Sequence, residues 1–242
     1  TACIDLFKLF PALHLYKREV GRSLLRSLDL RFSRYKNIAR ITLPFALVNI
    51  MSILQSRVDV LFLEHFRSTA EVGIYTAGER FINALTILPG AMFNGLIPLF
   101  SLSRGTSFSK KFSMQSVLFF SLLGIVISGA LYLAAPLIIS LTFRFPESVI
   151  VLQILAWSFA FFMFNTFTES WLYGHHYEKF VVYARIVGII AIVGTNIYFA
   201  PLYGATGTAI ATIVSECILS VVFGGMLLVK RRRSATRHPN KS

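Results

Sequence analysis

The sequence predicts an all-α integral membrane protein built as a six-transmembrane-helix bundle, on three observations. Of its 242 residues, 55% are hydrophobic and only 14% are charged, and mean hydropathy is +0.66. An ordinary soluble domain carries about a quarter of its residues as charges. The apolar residues also fall into six long runs, each near the ~20 residues that a helix needs to cross a bilayer. Finally, the cations gather in alternate connectors between those runs. In a soluble protein a net charge of +13 would suggest nucleic acid. Here its distribution reads as topology at an anionic membrane face, and no nucleic-acid partner is expected.

Residues 1–13 (TACIDLFKLFPAL) are apolar but too short to span. They read as the end of a preceding helix, and the chain, which starts at Thr rather than Met, reads as part of a longer protein. Residues 14–40 carry Lys17, Arg18, Arg22, Arg26, Arg31, Arg34, Lys36 and Arg40. At helical spacing Val20, Leu24, Leu25, Leu28, Phe32 and Tyr35 fall on one side. That pattern predicts a basic amphipathic helix on the cytoplasmic membrane surface, the alternative being a solvated basic loop. Residues 1–40 thus form an entry and linker region. The spans follow at about 41–63, 74–101, 115–141, 149–173, 180–199 and 205–229, and residues 230–242 (KRRRSATRHPNKS) form a basic tail.

Segments 14–40, 102–114, 174–179 and the tail hold most cations, among them Arg104, Lys110, Lys111 and Lys179. The alternate connectors 64–73, 142–148 and 200–204 hold only Arg67 and Arg144, offset by Glu64, Glu71 and Glu147. These read as ordinary loop charges. The asymmetry puts the basic segments and the C-terminus in the cytoplasm of a multi-pass protein.

Polar residues inside the spans form stripes. On the first span Asn49, Ser52, Gln55, Ser56 and Asp59 share a face, and Arg57 points nearly opposite to Asp59, so an Arg57–Asp59 pair is not expected. On the second, Glu79, Arg80, Asn83, Thr86, Gly90 and Asn94 share a face, with Pro89 and Pro98 as kink positions. Ser158, Asn165, Thr168 and Glu169 align on the fourth span, and Arg185 and Asn196 on the fifth. Thr208, Thr212, Ser215 and Glu216 align on the sixth, flanked by Gly204, Gly207 and Ala211 for close helix packing. Ser and Thr in such stripes are mostly packing groups. Ionisable groups within a span are costly in lipid and mark a cavity or substrate path. Asp59, Glu79, Arg80, Asn83, Asn94, Glu169, Arg185 and Glu216 are the candidate cavity residues.

Nothing points to catalysis. There is no glycine-rich phosphate loop, no nucleophile elbow and no loop large enough to carry an active site. Cys3 and Cys217 lie at opposite ends of the chain and offer neither a disulfide framework nor metal spacing. His175 and His176 sit in a turn with only Glu178 nearby, so no metal site is expected. Trp157, Trp171, Tyr173 and Tyr177 read as core and interfacial anchors.

The Arg57-x-Asp59 run, the GIYTAGER segment (Gly73, Tyr75, Arg80), the Pro89–Pro98 helix and the late LYGATGTAIATIVSE segment (Gly204, Gly207, Ala209, Ala211, Glu216) resemble the polysaccharide and O-antigen flippases. These belong to the multidrug/oligosaccharidyl-lipid/polysaccharide exporter superfamily. The resemblance runs in order over about 40–230. It implies a fold of twelve helices in two facing six-helix bundles, of which this chain resembles the second. The first bundle would be a missing N-terminal half or a second chain. The resemblance implies a transporter of the bacterial inner membrane, not an enzyme. Its substrate would be a polyprenyl-diphosphate-linked oligosaccharide, an O-antigen or exopolysaccharide unit, moved from the cytoplasmic to the periplasmic leaflet. Arg80 and Arg185 would meet the diphosphate. Asp59, Glu79 and Glu216 would carry a coupling ion, H+ or Na+, and no other cofactor is expected. The alternatives are a cation-coupled multidrug exporter of the same superfamily and, less well matched, a membrane-embedded glycan polymerase or acyltransferase. A non-transporting scaffold would leave the charges inside the spans unexplained.

Overall fold

A computed structural model describes residues 32–102, 107–142 and 145–236, all helical apart from short turns. Of the surface helix expected at 14–40, residues 14–31 lie outside the described residues, as do the end of the tail at 237–242, Arg104 and Arg144. The helices are α1 (Phe32–Phe66), α2 (Thr69–Leu85), α3 (Ile87–Leu102), α4 (Ser107–Thr142), α5 (Ser148–Gly174) and α6 (Glu178–Thr236). The chain divides into two compact units, Thr1–Leu43 and Pro44–Ser242. The first is described only from Phe32, where it begins α1. The packing below is that of the second.

Among the described residues, five continuous segments are long and apolar enough to cross a membrane: Ala46–Phe66, Thr69–Ser101, Gln115–Thr142, Ser148–Gly174 and Glu178–Val229. The sequence reading has six runs, and the difference lies in the last segment. The runs expected at 180–199 and 205–229 form one helical stretch that reverses at Gly204, where the backbone takes φ 55° and ψ −133°. A straight helix would hold residues 195 and 211 about 24 Å apart, yet Thr195 Oγ1 lies 3.4 Å from Ala211 O. The arms 178–203 and 205–236 therefore run back along each other. The positive φ favours glycine, and the corner is tight enough that a Cβ on Gly207 would strike the Phe199 carbonyl.

The remaining connectors are shorter than hydropathy suggests. The loop expected at 64–73 shrinks to Arg67 and Ser68, because the helical ladder continues past the apolar run: the Arg67 N–H bonds to Leu63 O at 2.9 Å. Ser68, extended at φ −86° and ψ 158°, restarts the chain as the N-cap residue of α2. The turn expected at 174–179 contracts to 175–177, with His176 at φ 59°.

The second run is helical throughout, with an interruption at Thr86 between α2 and α3. Pro89 follows three residues later and has no N–H to give to Leu85 O. The ladder resumes with Gly90 N–H on Thr86 O at 3.1 Å. Pro98 lies inside α3, which continues through it to Leu102.

Helix α5 is the central element. Most of its length is buried, and α2, α3, α4 and α6 all pack on it. One cluster joins Leu96 and Phe100 of α3 to Phe167, Trp171 and Leu172 of α5 and to Leu219 and Phe223 of α6. A second joins Leu63, Tyr75, Val151, Leu155, Ala205 and Ala209. A third sets Leu131, Ala135 and Ile139 of α4 on Leu152 and Ala156. Small residues bring backbones close, as membrane helix packing requires: a Cβ on Gly78 would lie 3.2 Å from Leu152 N. The outer face of α4 carries Leu122, Val126, Leu133 and Leu137, with Leu133 79% exposed. Such a continuous apolar face suits lipid contact.

Candidate functional site

Polar residues one helical turn apart carry the inner face of the bundle. Gln55 and Asp59 follow this spacing on α1, Tyr75, Glu79 and Asn83 on α2, Asn165 and Glu169 on α5, and Thr212, Glu216 and Ser220 on α6. At i, i+4 spacing each set shares one side of its helix. Packing around α5 brings these sides together about two adjoining hollows. One, of about 360 Å3, is lined by Gln55, Asp59, Tyr75, Glu79, Asn83, Ser158, Arg185, Thr212 and Glu216 among others. The other, of about 390 Å3, is lined by Val48, Asn49, Gly90, Phe93, Ile97, Thr166, Glu169, Tyr173 and Arg185. Ser52, Thr86, Phe162 and Arg185 border both.

Two hydrogen-bonded networks stand in the walls. In the first, the Asp59 carboxylate is buried at 5% exposure. It accepts hydrogen bonds from Tyr75 Oη at 2.9 Å, Asn196 Nδ2 at 2.7 Å and Thr212 Oγ1 at 3.0 Å. Its donors are all neutral and come from α2 and both arms of α6. They satisfy the lone pairs that burial would leave exposed to an apolar interior. Arg57 is exposed and takes no part.

The second network is charged. Arg185 Nη2 pairs with Glu169 Oε2 at 2.5 Å, and Arg185 Nη1 donates to Gln55 Oε1 at 3.4 Å. Gln55 Nε2 faces Glu216 Oε1 at 3.4 Å, and Asn165 Nδ2 donates to Glu216 Oε2 at 2.7 Å. Ser220 Oγ completes the chain by donating to Asn165 Oδ1 at 2.8 Å. Gln55, one turn from Asp59, places the two networks side by side on α1.

Of the eight candidates, six border the hollows: Asp59, Glu79, Asn83, Glu169, Arg185 and Glu216. Glu79 has the Asn83 amide and the charge of Arg57 for neighbours. Arg80 and Asn94 do not border either hollow; both are exposed, and Asn94 Nδ2 donates back to Gly90 O at 3.2 Å. Pro89 is buried just beyond the Thr86 break, and Pro98 is exposed.

Two supposed loop charges have structural partners. Arg67 Nη2 donates to Pro201 O at 2.7 Å, at the end of the first arm of α6. Glu71 Oε2 accepts from Ala205 N–H at 2.7 Å, at the start of the second arm. A cation thus meets freed carbonyls and an anion meets a freed N–H, each at the helix end that favours its sign. Read from the sequence as ordinary loop charges, both hold the corner at Gly204. Sequence reasoning placed Gln55, Asn165, Asn196 and Thr212 on the polar faces but did not count them, or Tyr75, among the site residues. For Tyr75 the available signal was the one-turn spacing that ties it to Glu79.

Two solved structures are similar in fold. A MOP-superfamily transporter from Pyrococcus furiosus, described as having a binding pocket of reverse polarity that suggests a different function, superposes with a TM-score of 0.70 at 18% identity. A multidrug-resistance MATE-family transporter of the MOP superfamily, in its outward-facing conformation, gives a TM-score of 0.71 at 17% identity. The likeness is one of fold, to about half of each of these two transporters. The matches take in 80% and 84% of this chain but 45% and 48% of those proteins. In sequence, the chain is 26% identical over 201 residues to an uncharacterized membrane protein of Methanocaldococcus jannaschii, covering 83% of this chain and 48% of that protein. The chain thus spans about half the length of the relatives it matches. No family model matches it.

Proposed function

We propose that this chain is one six-helix bundle of a two-bundle transporter of the MOP superfamily. Its cargo is a polyprenyl-diphosphate-linked oligosaccharide, passed from the cytoplasmic to the outer leaflet by alternating access. The observation that carries this reading is Arg80. It lies about 9 Å along the helix axis inside the start of the span expected at 74–101, toward one side of a ~30 Å hydrocarbon layer, and it is exposed. A guanidinium that faces lipid inside the hydrocarbon layer is costly, and such groups mostly face a bundle interior or a water-filled cavity. In this reading the exposed Arg80 face meets water or another protein wall, as in a central cavity closed by a second bundle. The share of the solved structures matched, 45% and 48%, supports the missing half.

In this reading Arg80 and Arg185 meet the diphosphate by charge-assisted hydrogen bonds, and Asn83 and Asn94 offer amides to the sugars. The buried carboxylates Asp59 and Glu216, with Glu79, take the coupling ion, H+ or Na+. The break at Thr86 gives α2 and α3 a place to bend as the bundles rock. The reading puts the basic tail in the cytoplasm of the cell that makes the glycan.

One observation favours a second reading. Asp59, Glu79, Glu169 and Glu216 outnumber Arg185 in the walls, and such a lining suits export of cationic compounds. The test is Arg80→Ala in the full-length protein. Loss of surface glycan with normal membrane levels supports the glycolipid reading. Normal surface glycan together with lost resistance to cationic compounds would replace it with the second.

A further inference from the structure

We propose that Arg185 is an oxyanion-binding residue held in reserve by Glu169, so that an incoming phosphate exchanges with that carboxylate at the junction of the two hollows. The proposal deepens the glycolipid reading and rests on it for the nature of the phosphate carrier.

The observations lie in the guanidinium itself. Arg185 borders both hollows although its side chain is only 12% exposed. A guanidinium offers five N–H donors in a fixed fork. Here Glu169 reaches it through a single contact, Oε2 on Nη2. The Nη1 contact to Gln55 is long, at 3.4 Å. Nε, which forms the side-on fork with Nη2, is buried and has no hydrogen-bond partner among the described residues. Burying an N–H unmatched is costly, so this fork edge is short of one acceptor, and Arg185 borders the hollows from which one could come. A phosphate supplies two oxygens at the spacing of that fork. Taking Nε and Nη2 together, it displaces Glu169 Oε2 from Nη2. No covalent bond changes; one ionic partner replaces another. The freed carboxylate borders the 390 Å3 hollow, where water can reach it. Glu216 does not compete for the fork, because its oxygens are engaged by Asn165 and Gln55.

Both hollows mix polar and apolar lining: Asp59, Asn83 and Thr212 stand with Ile82 and Leu155 in one, and Val48, Phe93 and Ile97 with Asn49 and Thr166 in the other. The apolar part of the lining leaves room for hydrocarbon beside a phosphate held at Arg185.

The test is equilibrium binding to purified full-length protein in detergent, by calorimetry, with two probes: inorganic pyrophosphate and geranylgeranyl diphosphate. Transport is not required, so failure here is separable from failure of the flippase reading. Glu169→Gln removes the competing charge and should tighten pyrophosphate about tenfold or more. Arg185→Lys keeps the charge but loses Nε, and should weaken binding about tenfold in a protein that still folds. Geranylgeranyl diphosphate should bind at least about tenfold tighter than pyrophosphate and respond to both variants in the same direction. Unchanged or weaker binding in Glu169→Gln, or wild-type binding in Arg185→Lys, overturns the exchange. Equal affinity for the two probes, with both variant effects intact, supports the exchange and overturns a lipid-borne phosphate as its ligand.

Discussion

Replacing Gly204 with Ala strikes the corner on which α6 turns, and its cost can be worked from two contributions. At φ 55° and ψ −133° an L-residue is held in a sparsely populated conformation, worth about 1–3 kcal/mol. The new Cβ would also collide with the Glu71 carboxylate. Moving that carboxylate forfeits its 2.7 Å bond to Ala205 N–H, a charge-assisted contact worth about 1.5–3 kcal/mol. Together these predict a loss of roughly 2.5–6 kcal/mol. Reversible unfolding in mixed micelles, followed by the fluorescence of Trp157 and Trp171, measures it. Glu71→Ala removes the collision partner, so the double variant should be milder than the sum of the single ones by about 1 kcal/mol or more. A loss below about 1 kcal/mol for Gly204→Ala, or full additivity in the double variant, would refute the account of the corner.

Tyr75→Phe removes the hydroxyl that reaches Asp59 at 2.9 Å while Asn196 and Thr212 still serve the carboxylate. A loss of about 1–2 kcal/mol in the same titration is expected, and unchanged stability would mean that the network does not hold α2 to α1. A reporter fused after Ser242 should be active in the cytoplasm, and an external signal would invert the proposed topology.

The fold was legible because the forces that decide it act along short stretches of chain. Apolar runs of spanning length and alternating basic connectors are properties of the sequence, and they lead to a helical membrane bundle without any knowledge of which helix meets which. Connector lengths were less legible. Hydropathy marks where lipid ends, whereas the hydrogen-bond ladder of α1 runs on through Glu64 and His65 to Phe66. The corner at Gly204 shows the same divide. Pro201 and Gly204 announce a turn, but only packing shows that Arg67 and Glu71 hold its two sides.

For the site, helical spacing found the faces but not their partners. Asp59 and Asn196 are 137 residues apart, and nothing local connects them. The arithmetic also grouped Arg80 with Glu79, adjacent positions about 100° apart on the helix. In the folded chain Glu79 borders the hollow and Arg80 does not. Tyr75 is the instructive omission, since an aromatic in an apolar run reads as core. Its ring does sit in the core cluster with Leu63 and Val151, while its hydroxyl serves the site.

The most direct test of the transport reading uses the full-length protein in liposomes loaded with a fluorescent polyprenyl-diphosphate oligosaccharide, with a membrane-impermeant quencher added outside. Label carried to the outer leaflet becomes accessible and is quenched. The account predicts protein-dependent quenching on the second-to-minute scale, lost in Arg80→Ala. Quenching no faster than in protein-free liposomes, with efflux of a cationic dye from the same preparation, would contradict it and leave a cation exporter in its place.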